Sequence, residues 1–96
     1  MNSLEQIRSQ KEAITRLASK YGIRNVRLFG SVMRGEADAD SDVDVLVDIE
    51  PGRSLLDLVG FEQDLADLLG CRVDVVVEGG ISPYLEQRIL QEARPL

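Results

Sequence analysis

The feature that most constrains the fold of this 96-residue chain is a pair of valine-rich segments separated by one amphipathic helix. Residues 42–49 (DVDVLVDI) alternate apolar and charged side chains and residues 71–77 (CRVDVVV) do so in part, so both are predicted to be β-strands. Residues 54–70 carry apolar side chains at helical spacing, with Ser54 as the predicted N-cap and Gly70 at the end. A connection that contains a full helix is typical of a crossover between parallel strands.

The remaining segments extend this pattern to an α/β fold. Ser3 and Gly22 are the predicted caps of a first helix that reaches Tyr21, along which apolar residues recur at helical spacing. The other predicted elements are a strand at residues 24–29, a short helical turn from Ser31 to about Arg34, a last helix from Pro83 to about Ala93 with Ser82 as its N-cap, and a tail at residues 94–96. We therefore expect one domain, residues 1–96, with a small mixed sheet of about three main strands flanked by helices.

Three aspartates lie near the starts of the two valine-rich strands. Asp42 and Asp44 share one face, because side chains alternate along a strand, and Asp74 has a similar position in the later strand. Parallel pairing would bring both strand starts to one end of the sheet. If the first strand runs antiparallel to residues 42–49, Gly30 and Ser31 reach the same end, and we expect all five residues to lie together.

Carboxylates crowded in this way repel one another unless a cation offsets their charge. Oxygen ligands suit magnesium, and two such ions can stabilise the attacking and leaving oxygens of a phosphoryl displacement. The Gly30–Ser31 turn offers backbone N–H groups and a hydroxyl to a phosphate, and Asp74 could accept the proton of an attacking hydroxyl. Either motif alone is more often an acidic strand edge or a simple turn.

The other acidic and basic residues of this region have simpler interpretations. A calcium loop that starts at Asp38 would need glycine at its sixth position and glutamate at its twelfth, where this chain has Val43 and Ile49. We expect Asp38 and Asp40 to be solvated loop residues or outer partners of a metal site, and Asp48 to be solvated. Arg34 is either a surface charge or a contact to a triphosphate.

Composition excludes several classes of function. The chain contains no histidine, which removes the commonest general base and the usual zinc ligands. Its formal net charge of -6 argues against direct nucleic-acid binding and is compatible with a basic protein partner. A single cysteine, Cys71, a polar N-terminus and the absence of a long apolar segment indicate a cytoplasmic protein with no membrane association.

The text FGSVMRGEADADSDVDVLV combines Gly30 and Ser31, ten further residues and then Asp42 and Asp44, with Asp74 in a later strand. This combination resembles the nucleotidyltransferase signature of the DNA polymerase β superfamily, and most closely the minimal nucleotidyltransferases, or MNT (MntA-like) antitoxins. The resemblance covers nearly the whole chain. It implies a palm-like mixed sheet and transfer of AMP from ATP to a tyrosine of a HEPN RNase toxin encoded beside the antitoxin.

The resemblance also implies roles for individual residues. Gly30 and Ser31 would bind the nucleotide phosphates, with Arg34 as a further contact. Asp42, Asp44 and Asp74 would be the catalytic carboxylates and the ligands of two magnesium ions, and Asp74 would also be the base.

The leading hypothesis is thus a magnesium-dependent protein adenylyltransferase that acts as an antitoxin in complex with its HEPN-type toxin. Two alternatives remain open at this point. The chain could neutralise the toxin by binding alone, or it could transfer the nucleotide to a small molecule such as an aminoglycoside.

Overall fold

The computed structural model describes residues 3–35, 42–79 and 83–96. Within these residues the chain forms a four-stranded sheet with helices on both faces. In chain order, the elements are α1 (Leu4–Arg8), α2 (Lys11–Lys20), β1 (Ile23–Phe29), α3 (Ser31–Arg34), β2 (Val43–Ile49), α4 (Leu55–Leu69), β3 (Val73–Val77), α5 (Pro83–Glu92) and β4 (Arg94–Pro95). The predicted α/β class is confirmed.

The strand order is β3-β2-β1-β4, and the sheet is mixed as predicted. Strands β2 and β3 are parallel, since α4 carries the chain back to the same end of the sheet. Strand β1 runs antiparallel to β2, so the end of β1 lies beside the start of β2. This topology brings three chain segments to one end of the sheet.

The larger core lies between one face of the sheet and helices α1, α2 and α4. Alternation along β2 directs Val43, Val45 and Val47 into this core, and all three are almost completely buried. Phe61 and Leu65 of α4 pack against them. Complete burial of a side chain of this size stabilises the fold by about 2 kcal/mol, so the core holds β2 firmly and fixes the direction of its opposite face.

The single helix predicted for residues 3–21 is wrong in one respect, because it is interrupted between α1 and α2. The hydroxyl of Ser9 donates a hydrogen bond to the carbonyl of Gln6 at 2.5 Å, and Gln10 leaves the helical region with φ −98° and ψ 14°. A serine side chain competes in this way with the helical backbone pattern. The predicted caps hold: Ser3 accepts from the N–H of Gln6, and Gly22 has a positive φ of 68°.

The predicted tail at residues 94–96 contains a strand that the sequence analysis did not identify. Strand β4 pairs with β1 in antiparallel fashion, and the N–H of Leu96 donates to the carbonyl of Val26 at 3.1 Å. Arg8 also donates a side-chain hydrogen bond to the carbonyl of Pro95 at 3.3 Å. Pro95 is tolerated because β4 is an edge strand.

Helix α4 begins and ends as predicted. Ser54 accepts from the N–H of Leu56, and Asp57 accepts from the N–H of Ser54, which completes a capping box. Gly70 ends the helix with a left-handed backbone. Neither α4 nor any other helix in the described segments is long and apolar enough to cross a membrane. The predictions for Asp38, Asp40 and Ser82 lie outside the described residues.

Candidate functional site

The second face of the sheet is covered by α5 at its centre and open at one end. Leu46 of β2 is completely buried there, together with Phe29 of β1 and Ala93, which follows α5. Asp44 lies two residues earlier on the same face, beyond the part that is fully covered. A cleft with a volume of about 550 Å³ opens at this point, with Asp44 in its wall.

Asp44 and Asp74 are direct neighbours across the parallel pair of strands. The register places Asp44 opposite Asp74, just as it places Val43 opposite Val73. Adjacent strands are about 4.8 Å apart, so both carboxylates leave the sheet side by side. The prediction that Asp74 lies near the start of β2 is confirmed, whereas its chemical role stays a prediction.

Asp42 lies immediately before β2, one residue outside the predicted strand. Its Oδ1 accepts from Nε of Arg72 at 3.0 Å, and the two side chains are 46% and 80% exposed. An ion pair with this exposure contributes less than about 1 kcal/mol. Asp42 is therefore held near the other two carboxylates by a contact that a stronger cation can replace.

Gly30 separates β1 from α3 and lies against the Asp44 carboxylate. Its backbone has φ 79° and ψ −153°, a conformation that is essentially restricted to glycine. A Cβ atom on Gly30 would overlap Oδ2 of Asp44. Ser31 follows as the first residue of α3 and is partly buried. The sequence prediction that Gly30 lies beside Asp44 is confirmed, and phosphate binding by Gly30 and Ser31 stays a prediction.

Burial and the neighbouring negative charges raise the pKa of Asp44 from 3.8 to about 6. Burial of the carboxylate is the largest cause, followed by repulsion from Asp74 and from Asp42. Arg34 opposes the shift and Glu92 adds to it. Without a bound cation, the folded protein thus disfavours the ionised form of Asp44 relative to the unfolded chain.

This shift predicts that the metal-free protein loses stability as the pH rises from about 4 to about 6. In that range the unfolded state has already lost the proton that folded Asp44 still holds, so a rising pH favours unfolding. Because Asp44 is partly exposed, we expect a loss of about 1 kcal/mol. Asp44→Asn should remove this pH dependence, as judged from urea midpoints in EDTA. An equally steep profile in the variant would contradict the assignment.

The donor chemistry of the three aspartates fits a hard divalent cation. Carboxylate oxygens are the ligands that magnesium prefers, and the strand register sets Asp44 beside Asp74. Across residues 3–35, 42–79 and 83–96, no three acidic, cysteine or histidine side chains stand ready to hold a metal ion. The pairing of Asp42 with Arg72 is consistent with that finding. Metal binding through Oδ1 of Asp42 would replace this contact with Arg72.

Helix α5 forms the second wall of the cleft, which the sequence analysis did not predict. Arg88 and Glu92 line the cleft together with Arg34, and Nη1 of Arg34 donates to Oε1 of Glu92 at 2.6 Å. The spacing of Leu85, Arg88 and Glu92 marks one face of a helix. That signal alone does not separate a cleft wall from a solvated surface.

Asp48 was predicted to be solvated; its side chain is 40% exposed, but it also has partners within the fold. Its carboxylate accepts from Nη2 of Arg27 at 3.2 Å and from Nδ2 of Asn25 at 3.3 Å. Nη1 of Arg27 also donates to Glu78 at 3.3 Å. Asn25 has a positive φ of 54° at an irregularity in β1, which the sequence pattern does not show. Asp48 therefore has a structural partner, four residues beyond Asp44 on the same face.

Comparison with known proteins gives close matches over nearly the full chain. A family model for the nucleotidyltransferase domain matches residues 10–96. The protein adenylyltransferase MntA of Thermococcus cleftensis is 42% identical over 93 residues, which cover 96% of this chain and 94% of that protein. A solved structure provisionally described as a minimal nucleotidyltransferase has a TM-score of 0.88 and 49% identity, covering 98% of this chain and 96% of that one.

A more distant solved structure shares the fold. It is a complex of tri-AMPylated Shewanella oneidensis HEPN toxin with MNT antitoxin, and the match has a TM-score of 0.68 at 21% identity. It covers 92% of this chain and 69% of the other. At this sequence identity the match shows a common fold.

Proposed function

Because this chain belongs to the nucleotidyltransferase domain family, we propose that it transfers AMP from ATP to a tyrosine hydroxyl of a HEPN-type RNase toxin and so acts as an antitoxin. The observation that carries the proposal is the register of β2 and β3, which sets Asp44 beside Asp74, next to the Gly30 turn. Paired carboxylates beside a glycine turn suit phosphoryl transfer, in which catalysis depends on positioning and charge.

The proposed reaction forms one bond and breaks one bond at the α-phosphorus of ATP. The oxygen of the acceptor hydroxyl bonds to this phosphorus, and the bond from the phosphorus to the oxygen of the β-phosphate breaks. Pyrophosphate leaves with the electron pair of that bond. Asp74, which is exposed at the start of β3, accepts the proton of the hydroxyl.

Each residue of the site has a defined task in this proposal. Asp42, Asp44 and Asp74 would hold two magnesium ions, which would offset negative charge on the reacting oxygens. The backbone of Gly30 and Ser31 and the guanidinium of Arg34 would orient the triphosphate. The lack of histidine is no obstacle, because the carboxylates perform the acid–base chemistry.

The relatives and the charge of the chain support a protein acceptor. The Thermococcus cleftensis relative is named a protein adenylyltransferase, and the toxin in the Shewanella oneidensis complex is tri-AMPylated. A formal net charge of -6 complements a basic partner. We propose that the chain forms a complex with its toxin in the cytoplasm, where ATP and a reduced Cys71 are expected.

One observation favours neutralisation by binding alone as a second candidate function. Asp42 is paired with Arg72, and the described residues contain no three-ligand cluster ready for a metal ion. A protein that only blocked its partner would need no exchange of that ion pair.

Intact-mass spectrometry of the toxin tests the proposed function. We expect incubation of the HEPN partner with this protein, ATP and magnesium to add one or more AMP units, and peptide mapping should locate them on tyrosine. Omission of ATP is the control. A toxin that forms the complex and keeps its original mass would contradict adenylyl transfer and favour neutralisation by contact.

Magnesium and ATP should together raise the melting temperature of the protein. A ligand that binds only the folded state at about one hundred times its Kd stabilises that state by about 2.7 kcal/mol, which corresponds to at least several degrees for a domain of this size. Differential scanning fluorimetry would measure this shift. The double variant Asp42→Asn/Asp44→Asn should lose the magnesium-dependent part, and an equal shift in that variant would place the cation elsewhere.

A further inference from the structure

Two oppositely charged residues of α5, one helical turn apart, face the same cleft. Arg88 and Glu92 line the cleft together with Arg34, Gly30 and Asp44. The sequence motif lies on the other side of the cleft, in β1, α3 and β2. Any polyphosphate held against Gly30 and Arg34 therefore meets the charges of α5.

The carboxylate of Glu92 lies beside Arg34, where a phosphate group of the nucleotide would bind. Nη1 of Arg34 donates to Oε1 of Glu92 at 2.6 Å, and the two side chains are 50% and 28% exposed. Glu92 also lines the same cleft as Asp44 and Gly30. A polyphosphate that contacts Arg34 must compete with Glu92 and overcome its repulsion.

Arg88 has the opposite effect on an entering anion. Within the part of the chain that the structure describes, its guanidinium forms no ion pair, and it lies in the cleft wall. A guanidinium can donate two parallel hydrogen bonds to phosphate oxygens, and such charge-assisted bonds are stronger than neutral ones.

We propose that helix α5 forms the second wall of the nucleotide site, in which Arg88 contacts the polyphosphate and Glu92 competes with it for Arg34. This inference rests on the proposed function, because it takes the ligand of the cleft to be a nucleoside triphosphate. It assigns binding tasks to two residues outside the sequence motif, and it makes nucleotide affinity depend on the position of α5.

Isothermal titration of four single variants with ATP, in EDTA and in magnesium, tests this proposal. Arg88→Gln should weaken ATP binding about tenfold, because it removes a charge-assisted contact. Glu92→Gln should strengthen binding about threefold, as expected from the release of a partly exposed ion pair. Inorganic pyrophosphate should show the same directions, since the contacts are to phosphate.

Helix α2 provides matched controls at the same spacing. Glu12 and Arg16 are exposed residues four apart on α2, which packs on the opposite face of the sheet. Glu12→Gln and Arg16→Gln change the net charge as the α5 variants do, and both should leave the Kd within about twofold of the parent value, because exposed charges beyond about 10 Å are largely screened. Circular dichroism melting of every variant separates a binding effect from a loss of fold.

A double-mutant cycle shows whether Glu92 acts through Arg34. If Glu92 competes for Arg34, the gain from Glu92→Gln should vanish in an Arg34→Gln background. A gain that persists there would reflect repulsion across the cleft and would overturn the competition for Arg34.

The remaining outcomes distinguish this inference from the proposed function. If the parent binds ATP but Arg88→Gln and Glu92→Gln match the α2 controls, the inference is wrong and the proposed function stands. Weaker binding by Glu92→Gln would mean that Glu92 holds Arg34 in place for the nucleotide, which also overturns the competition. A parent protein that binds neither ATP nor pyrophosphate would overturn both.

Discussion

Asp44→Asn is expected to lower the rate of AMP transfer by about a thousandfold, a loss typical of removing one essential charge-stabilising group from an active site. Asp44 is the central member of the carboxylate group, since it faces Asp74 across the strand pair and lies against Gly30. Asparagine keeps the size of the side chain but loses the negative charge that a divalent cation requires. The variant should fold, because the raised pKa of Asp44 in the parent indicates that the charge of this carboxylate opposes folding.

Asp48→Asn is the matched control for this change. Asp48 lies on the same strand and the same face, and its carboxylate is paired with the largely buried side chain of Arg27. Because the Arg27 side chain is only 11% exposed, the substitution should cost about 1 to 2 kcal/mol of stability, and it should leave transfer within about threefold of the parent rate. Single-turnover assays with radiolabelled ATP would measure the transfer rates of Asp44→Asn and Asp48→Asn. Equal losses in the two variants would show that general acidity of this face, and not the position of Asp44, supports the reaction.

Gly30→Ala is expected to reduce stability by about 2 kcal/mol and transfer by about a hundredfold. The backbone conformation at Gly30 is essentially restricted to glycine, and the new methyl group would overlap the Asp44 carboxylate. A shift of about 1 Å in a catalytic group can cost about a hundredfold in rate. Urea unfolding and the transfer assay would give the two values.

Gly35→Ala separates backbone strain from the collision with Asp44. Gly35 also has a positive φ, of 72°, but among the described residues, its chain neighbours aside, no atom lies within 4 Å of a Cβ built on it. We expect a stability loss of about 1 kcal/mol with little effect on the transfer rate. If Gly30→Ala were no worse than Gly35→Ala in rate, the close contact between Gly30 and Asp44 would have no catalytic importance.

The central strands of the fold could be predicted from the sequence because each carries its own local signal. The alternation in residues 42–49 directs Val43 and Val45 inward and Asp44 outward. The length of the connection through α4 makes parallel pairing with β3 the natural outcome. From these two facts the juxtaposition of Asp44 and Asp74 follows without knowledge of any side-chain contact.

The features that the sequence analysis did not predict depend on tertiary contacts, or on a side chain that competes for backbone hydrogen bonds. The break between α1 and α2 lies where the Ser9 hydroxyl bonds to the Gln6 carbonyl, and the apolar spacing of the sequence continues across it. Strand β4 has only two residues and exists because β1 leaves an edge free for pairing. The role of α5 was missed because Arg88 and Glu92 resemble an ordinary polar helix face until the fold sets them opposite Arg34.

The ion pairs near the site could not be predicted from the sequence pattern either. Asp48 was expected to be solvated, but a left-handed residue at Asn25 and an irregularity in β1 accompany its contacts with Arg27 and Asn25. The contact between Asp42 and Arg72 links residues 30 positions apart in the chain. Such contacts follow from the register of whole strands, and alternation within one strand does not specify them.

The most direct test of the central claim is neutralisation of the HEPN partner in growing cells by the double variant Asp42→Asn/Asp44→Asn. If the carboxylates neutralise the toxin through nucleotidyl transfer, the variant should still co-purify with the toxin. It should fail to restore growth, and the recovered toxin should carry no AMP. If the variant restores growth as well as the parent does, catalysis by these aspartates is not the basis of neutralisation.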